Sequence, residues 1–284
     1  ANDLIDFGER FTEKTGVQVE TVVIEPADYP TKVQTALLAG ETEPDIIVGE
    51  PQMLEDFYEA GFFANLDDFG AKDYEGQIVD YVWEVGQDAD GIQRAISYQI
   101  TPAGIYYRRD IAQEVFGTED PDEIGKLFKD YPSILDAAKK LKSAGYRIFA
   151  SDAEMNYFSG DSAYGFGGGT FIGVSAQSKR QQTAWEFVKF CTLDEDTANW
   201  WIEYSQGDTV SLISVLEAHK DDQNEVYGGQ NLYSFWLKQA EGIDYSKVTR
   251  YDKGIGDAWG AAISAIKTGE KDKASAIAEF YDTI

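Results

Sequence analysis

The first sixty residues switch repeatedly between two hydrophobic periods, and that switching restricts the fold more than any other feature of the chain. Residues 2–15 put Leu4, Phe7 and Phe11 on one helical face, with Asn2 or Asp3 as a cap and Gly16 as the stop. Residues 17–24, VQVETVVI, read as a strand rich enough in Val and Ile to be buried on both sides. After Pro30 a helix carries Val33, Ala36 and Leu37, and a strand at Ile46, Ile47 and Val48 ends at Gly49-Glu50-Pro51. A third helix with Met53, Leu54, Phe57 and Tyr58 stops at Gly61. Such β-α-β-α alternation predicts an α/β fold with an open parallel sheet. Ligands in such sheets sit beyond the carboxyl ends of strands. Glu50 and Gln52 follow a strand of that kind directly, which makes them candidate ligand contacts. A carboxylate at a helix N-terminus is equally favoured by the helix dipole, and both readings of Glu50 stand.

The chemistry is narrowed by what the chain lacks. A formal net charge of −27 opposes phosphate backbones and anionic membranes, so nucleic acid and peripheral membrane roles fall away. Cys191 is the only cysteine and lies on an apolar helical stripe, so no internal disulfide and no cysteine zinc site is expected. His219 is also alone, in EAHKDD, which reads as a solvated helix end. With no GxSxG elbow beside it, a serine triad is not expected. No metal and no cofactor is implied. No run approaches the roughly 20 apolar residues of a membrane span. The sequence opens with ANDLIDF, already inside a helical pattern, so a leader is expected only if it was processed or trimmed. The 17 Tyr, 16 Phe and 6 Trp suggest surfaces where an apolar face and a hydroxyl are used together.

Further along, Ala89-Asp90-Gly91 predicts a turn between short strands at 81–85 and 94–98. Its DADG lacks the rest of a calcium loop. Tyr98, Gln99 and Thr101 fall in irregular backbone before a strand at 104–107, and Pro102 marks a crossing between two lobes. Helices follow at 110–116 and 133–144, the latter with a Ser133 cap and Gly145 beyond, and then a strand at 147–150. Carboxylates at 119–123 and 152–154 sit in solvated loops. Residues 161–191 open with aromatics around Gly167, Gly168 and Gly169, where the backbone is free to approach another group closely. GFGGGT lacks the Lys of a phosphate loop and precedes a strand at 170–175. The helix beyond shows Ala184, Trp185, Val188 and Cys191 on one stripe. A helix at 195–205 with Trp200 and Trp201, a strand-like run at 210–213, and helices at 231–242, 257–268 and 271–281 complete the chain.

Four of these stretches, in order, resemble extracellular solute-binding proteins of ABC transporters, the sugar-binding family 1 group. PDIIVGEPQMLEDFYEAGFFANLDDF resembles the family's early strand, helix and aromatic pair before Asn-Leu-Asp. GIYYRRDIAQEVFG resembles its tyrosine-rich strand and basic-Asp helix start. GGGTFIGVSAQSKRQQTAWEFVKFCT is similar to the glycine-led strand that returns to the first lobe, and AISAIKTGEKDKASAIAEF to the closing pair of helices. The resemblance implies a two-lobed periplasmic-binding-protein-like fold with a hinge. Residues 1–101 and 164–208 would form lobe 1, and 102–163 and 209–284 lobe 2. It implies ligand contacts from Glu50 and Gln52, from Gln99 and Thr101 at the first crossover, from Tyr164 and Gly167, Gly168 and Gly169 at the return, and from Asp257 or Trp259. Trp236 and Trp259 would be aromatic platforms, although a helical Trp is more often core. The chain departs from the family in two places: the strand that precedes the first helix is not in the sequence, and the segment that would complete lobe 2 near 155–161 is missing.

The implied function is a non-enzymatic, extracytoplasmic receptor, periplasmic or lipid-anchored. It would act as a monomer, bind an oligosaccharide and deliver it to a membrane permease. Sugars present apolar faces and many hydroxyls, which Tyr, Trp, Gln and Asp can meet. The acidity also suits a polyamine or other cationic solute. A glycoside hydrolase would need two carboxyls about 5–9.5 Å apart.

Overall fold

The computed structural model describes residues 2–25, 28–149, 168–247, 249 and 251–284. Its helices are α1 (Asn2–Thr15), α2 (Tyr29–Leu38), α3 (Pro51–Glu59), α4 (Asp80–Val85), α5 (Arg109–Phe116), α6 (Pro121–Gly125), α7 (Tyr131–Ser143), α8 (Gln181–Thr192), α9 (Glu195–Ser205), α10 (Ile213–His219), α11 (Leu232–Glu241), α12 (Asp252–Thr268) and α13 (Lys273–Thr283). Three strands, β1 (Ile46–Gly49), β2 (Ile96–Ser97) and β3 (Phe171–Val174), form one sheet in the order β1-β3-β2.

The apolar stripes read from the sequence face a common core. Leu4, Phe7 and Phe11 of α1 are buried, and Gly16 ends the helix in the left-handed region at φ 78°. Phe11 meets Phe187 and Phe190 of α8 edge-to-face, each with ring centroids 5.2 Å apart. Phe7 packs in the same way on Tyr98 and lies 4.9 Å from the ring of Trp201 in α9. Helix α8 lies across β3, whose four residues are all buried. Side chains of Asp120, Asp130, Asp194 and Asp272 cap α6, α7, α9 and α13 by accepting backbone N–H groups. The α7 cap is thus Asp130, not Ser133, whose N–H it accepts at 2.8 Å.

Chain contacts divide the molecule into two units, Ala1–Thr101 with Gly167–Ile284, and Pro102–Phe166. The expected partition grouped 209–284 with 102–163, whereas the contacts put these residues with the first unit. Residues 209–213 explain the difference. Ser211 N–H donates to Tyr98 O at 2.9 Å, Val79 N–H to Ser211 O at 3.1 Å, and Leu212 bridges Ile78. Helix α10 then packs on α9 and α11, and α11 on α4. In the second unit Ala112, Ile124, Ile134, Ala137 and Leu141 form a small helical core. Its described residues contain no strand, so the strand expected at 104–107 is absent, as is that expected at 147–150 over 147–149, residue 150 lying outside the described residues.

Four further expectations about strands change. The sheet is antiparallel at both pairings, because β3 runs between β1 and β2 and opposite to each. Residues 17–24 form no strand among the described residues, and Val22 and Val23 are 71% and 60% exposed. The outer edge of β1 is taken instead by a side chain: the Tyr29 hydroxyl donates to Val48 O and accepts from Val48 N–H. Residues 81–85 are helical. Tyr81, Val82, Trp83 and Val85 are all buried, and a short continuous apolar run fits a buried helical turn as well as a strand. The run at 210–213 is extended only as a bridge, and Ile213 begins α10.

The central strand also depends on one missing side chain. A Cβ on Gly173 would lie 2.5 Å from Arg94 O and 2.4 Å from a Phe63 ring carbon. Gly173→Ala is therefore expected to cost about 1–3 kcal/mol, as overpacking does. Gly256→Ala in α12, where nothing lies within 4 Å, should add about 0.5–1 kcal/mol through helix propensity. Urea unfolding of the two variants measures both. Equal midpoints would refute the packing account of Gly173.

Candidate functional site

The register of the sheet gathers three loops at one end. Phe171, the first residue of β3, pairs with Gly49 at the end of β1 and with Ser97 at the end of β2. Beyond that line lie Glu50 with the first turn of α3, the segment 98–101, and the glycine-led approach 168–170. The sequence-predicted residues Glu50, Gln99, Thr101, Gly168 and Gly169 therefore share one rim of the first unit. Gln52 belongs to it through its backbone in α3. Glu50 is exposed at the N-cap of α3 and makes no side-chain cap bond. Gly168 and Gly169 have φ of 71° and 116°, backbone that favours glycine. The Thr101 hydroxyl donates to Gly168 O at 3.3 Å, and a Cβ on Gly169 would stand 3.6 Å from that hydroxyl.

Other polar residues at this rim are not read from the sequence as ligand contacts. Tyr98 O–H donates to Asp3 Oδ2 at 2.7 Å; burial first, and then Asp3, push its phenol well above the usual range. Asp208 Oδ2 accepts the Trp201 indole N–H at 3.2 Å, and Oδ1 accepts Thr209 N–H at 2.8 Å. Burial raises the Asp208 carboxyl despite those bonds. Residues 209–211 clasp the rim from behind, with the Thr209 hydroxyl on Ile100 O and the Ser211 hydroxyl on Ser97 O at 2.6 Å. Asp3 reads in the sequence only as a helix cap; Tyr98 reaches it across 95 positions, and Asp208 is brought near by the pairing of 209–211 with 97–100. Carboxylates, hydroxyls and an amide in one place can bind ligand hydroxyls or an ammonium group.

The remaining candidates are placed elsewhere or outside the described residues. Trp236 is 8% exposed in α11, edge-to-face with Phe235, and is part of the helical core. Asp257 and Trp259 are carried by α12, which packs on α13; Trp259 is 40% exposed and meets Phe280 edge-to-face. Tyr164 and Gly167 lie outside the described residues. His219 ends α10, its ring nitrogens 2.6 Å from Asp222 and 2.8 Å from Asn199. Cys191 is buried, which pushes its thiol well up. Among the described residues no cluster of three His, Cys, Asp or Glu could hold a metal ion.

Because the Asp208 carboxyl is raised in the fold, its contribution is stabilising below the ordinary carboxylate value and is lost as pH rises through the raised one. Relative to the native chain, Asp208→Asn should therefore gain stability as pH rises from about 4 towards neutrality. Urea midpoints of both proteins across that range give the difference directly. A difference that stays constant with pH would show that Asp208 is not perturbed.

Residues 7–167, more than half of the chain, match the model of a family described as bacterial extracellular solute-binding protein. Among solved structures, an extracellular solute-binding protein of family 1 superposes with a TM-score of 0.78 at 15% identity, covering 98% of this chain and 95% of the other. An ABC transporter associated binding protein from B. animalis subsp. lactis, in complex with β-1,6-galactobiose, gives 0.69 at 16%, with 98% and 93% covered. A maltose-bound protein from T. maritima gives 0.66 at 14%, with 98% and 94% covered. No curated protein matches the chain in sequence. At such identities the likeness is one of fold, the α/β periplasmic-binding-protein-like type that the motifs imply. The family match is the stronger statement, and by it the chain belongs to the bacterial extracellular solute-binding proteins.

Proposed function

We propose that this protein is the solute receptor of an ABC transporter and captures a carbohydrate, an oligosaccharide, for delivery to a membrane permease. The observation that carries the reading is the convergence of Glu50, Gln99, Thr101, Gly168 and Gly169 on one rim, joined there by Asp3, Tyr98 and Asp208. Hydroxyl-rich ligands need many acceptors and donors held without slack, and this rim holds its own groups by hydrogen bonds across 97–101, 168–170 and 208–211. Tyr164, Gly167, Asp257 and Trp259 belong to the same proposal as further ligand contacts, and Gln52 as the residue after the first strand. The sugars held by the B. animalis and T. maritima proteins of this fold support the ligand class.

The receptor acts by binding and release with no bond broken, as a monomer, with affinity set by the free-energy gap between two conformations of the chain. The family is extracellular, and no described helix is long and apolar enough to cross a membrane. We place the protein outside the cytoplasm, periplasmic or held by a lipid anchor. The net charge of −27, with Asp3 and Asp208 at the rim, favours a second reading in which the solute is a polyamine.

Tryptophan fluorescence and thermal shift against a panel of oligosaccharides, spermidine and putrescine separate the two. One glycan class at about 100 times its Kd should stabilise the fold by about 2.7 kcal/mol. Mass spectrometry should return that glycan uncleaved. Gln99→Ala should then weaken its binding by about tenfold, near the upper range for one hydrogen bond. A response to polyamines alone would replace the carbohydrate reading, and a cleaved glycan would replace the receptor by a hydrolase.

A further inference from the structure

We propose that Tyr81 is a positioning residue for solute capture, acting through Thr101 on both chain connections that leave the first unit. The inference rests on the receptor reading above for its link to binding. The first unit ends at Thr101 and resumes at Gly167. Thr101 is followed by Pro102, which has no N–H, so the Thr101 amide is the last donor by which the outgoing backbone can be held before Ala103. That amide donates to the Tyr81 hydroxyl oxygen at 2.7 Å. The Thr101 hydroxyl in turn donates to Gly168 O, one residue inside the returning connection. One side chain thus fixes the outgoing passage and, through Thr101, the incoming one.

The anchor itself is rigid. Tyr81 belongs to α4 and is 3% exposed, and α4 packs on both β2 and α11. Burial pushes its phenol up to about 12, so the hydroxyl stays neutral and keeps its acceptor oxygen at any physiological pH. The neighbouring tethers act on other atoms. The Thr209 hydroxyl holds Ile100 O, and the Ser211 amide holds Tyr98 O. They fix the carbonyls of this segment and leave the Thr101 N–H to Tyr81. Thr101, Gly168 and Gly169 are proposed ligand contacts, so a shift of a few tenths of an ångström here reaches the ligand as well as the connections.

Tyr81→Phe keeps the ring and removes one oxygen. Amide exchange at Thr101, read by NMR in the ligand-free protein, should quicken by at least tenfold. With β-1,6-galactobiose and maltose as probes, the dissociation rate of whichever binds should rise by about fivefold to tenfold, with stoichiometry still one per chain. A merely structural loss would lower melting temperature and the competent fraction but leave the dissociation rate alone. Thr192→Val, which removes a buried hydroxyl bonded within α8, is the control for that behaviour. Thr101→Val should also raise the dissociation rate, and adding it to Tyr81→Phe should give less than the product of the two effects, because both act through one residue. Unchanged exchange at Thr101 would overturn the proposal, as would quickened exchange with an unchanged dissociation rate or fully multiplicative effects. If the native chain binds neither these sugars nor any of the wider panel, the carbohydrate reading falls, and the exchange result alone decides whether Tyr81 holds Thr101.

Discussion

Everything at the candidate site depends on β3 being paired on both sides. Its first residue is the common neighbour of the ends of β1 and β2, so the loops beyond all three strands are forced to one rim. The pairing is tight enough that Gly173 has no room for a methyl group between Phe63 and the Arg94 carbonyl. A one-residue slip would bring the side chain of Ile172 or Val174 to the place where only a glycine fits. The site is thus a consequence of register before it is a consequence of any individual polar side chain.

The rim combines two kinds of stability. Beneath it the rings of Phe7, Tyr98, Trp200 and Trp201 pack with centroids about 5–6 Å apart, and each buried aromatic contributes roughly 1.5–3 kcal/mol. Around it, buried hydroxyls of Tyr81, Thr209 and Ser211 pair with backbone groups of 97–101. Such bonds add little net stability each, but an unmade one in the interior costs more than a made one gains. Their effect is to define one conformation for an irregular segment that no strand or helix would otherwise define. That is the demand a receptor places on its ligand loops.

Acidity is distributed differently from function. Many carboxylates cap helices or form exposed ion pairs, such as Lys139 with Asp136 and Lys126 with Glu123, and these contribute little. Asp208 differs from these, being half-buried and held by an indole N–H and a backbone amide. The formal charge of the chain therefore says little about its ligand until the few carboxylates at the rim are separated from the rest.

Most helices of this protein were legible in its sequence because their causes are local; 81–85, read as a strand, was not. The stripe of α1, its stop at Gly16, the buried face of α8 and the span of α9 follow from a 3.6-residue period and from caps within a few positions. The strands at 46–49 and 171–174 were legible for the same reason. What the residues alone left undecided was long-range. Residues 17–24 have the composition of a strand, yet the edge of β1 is covered by the Tyr29 hydroxyl. Asp3, Tyr98 and Asp208 meet across two hundred positions, and Trp236, which the sequence leaves open between platform and core, is packed away in α11. Sequence period determined most of the helices and which face of each is apolar. Only the tertiary structure decided the direction of pairing, what covers an edge and which polar side chains share a rim, because those outcomes depend on competition among distant groups for the same backbone hydrogen bonds and the same buried volume.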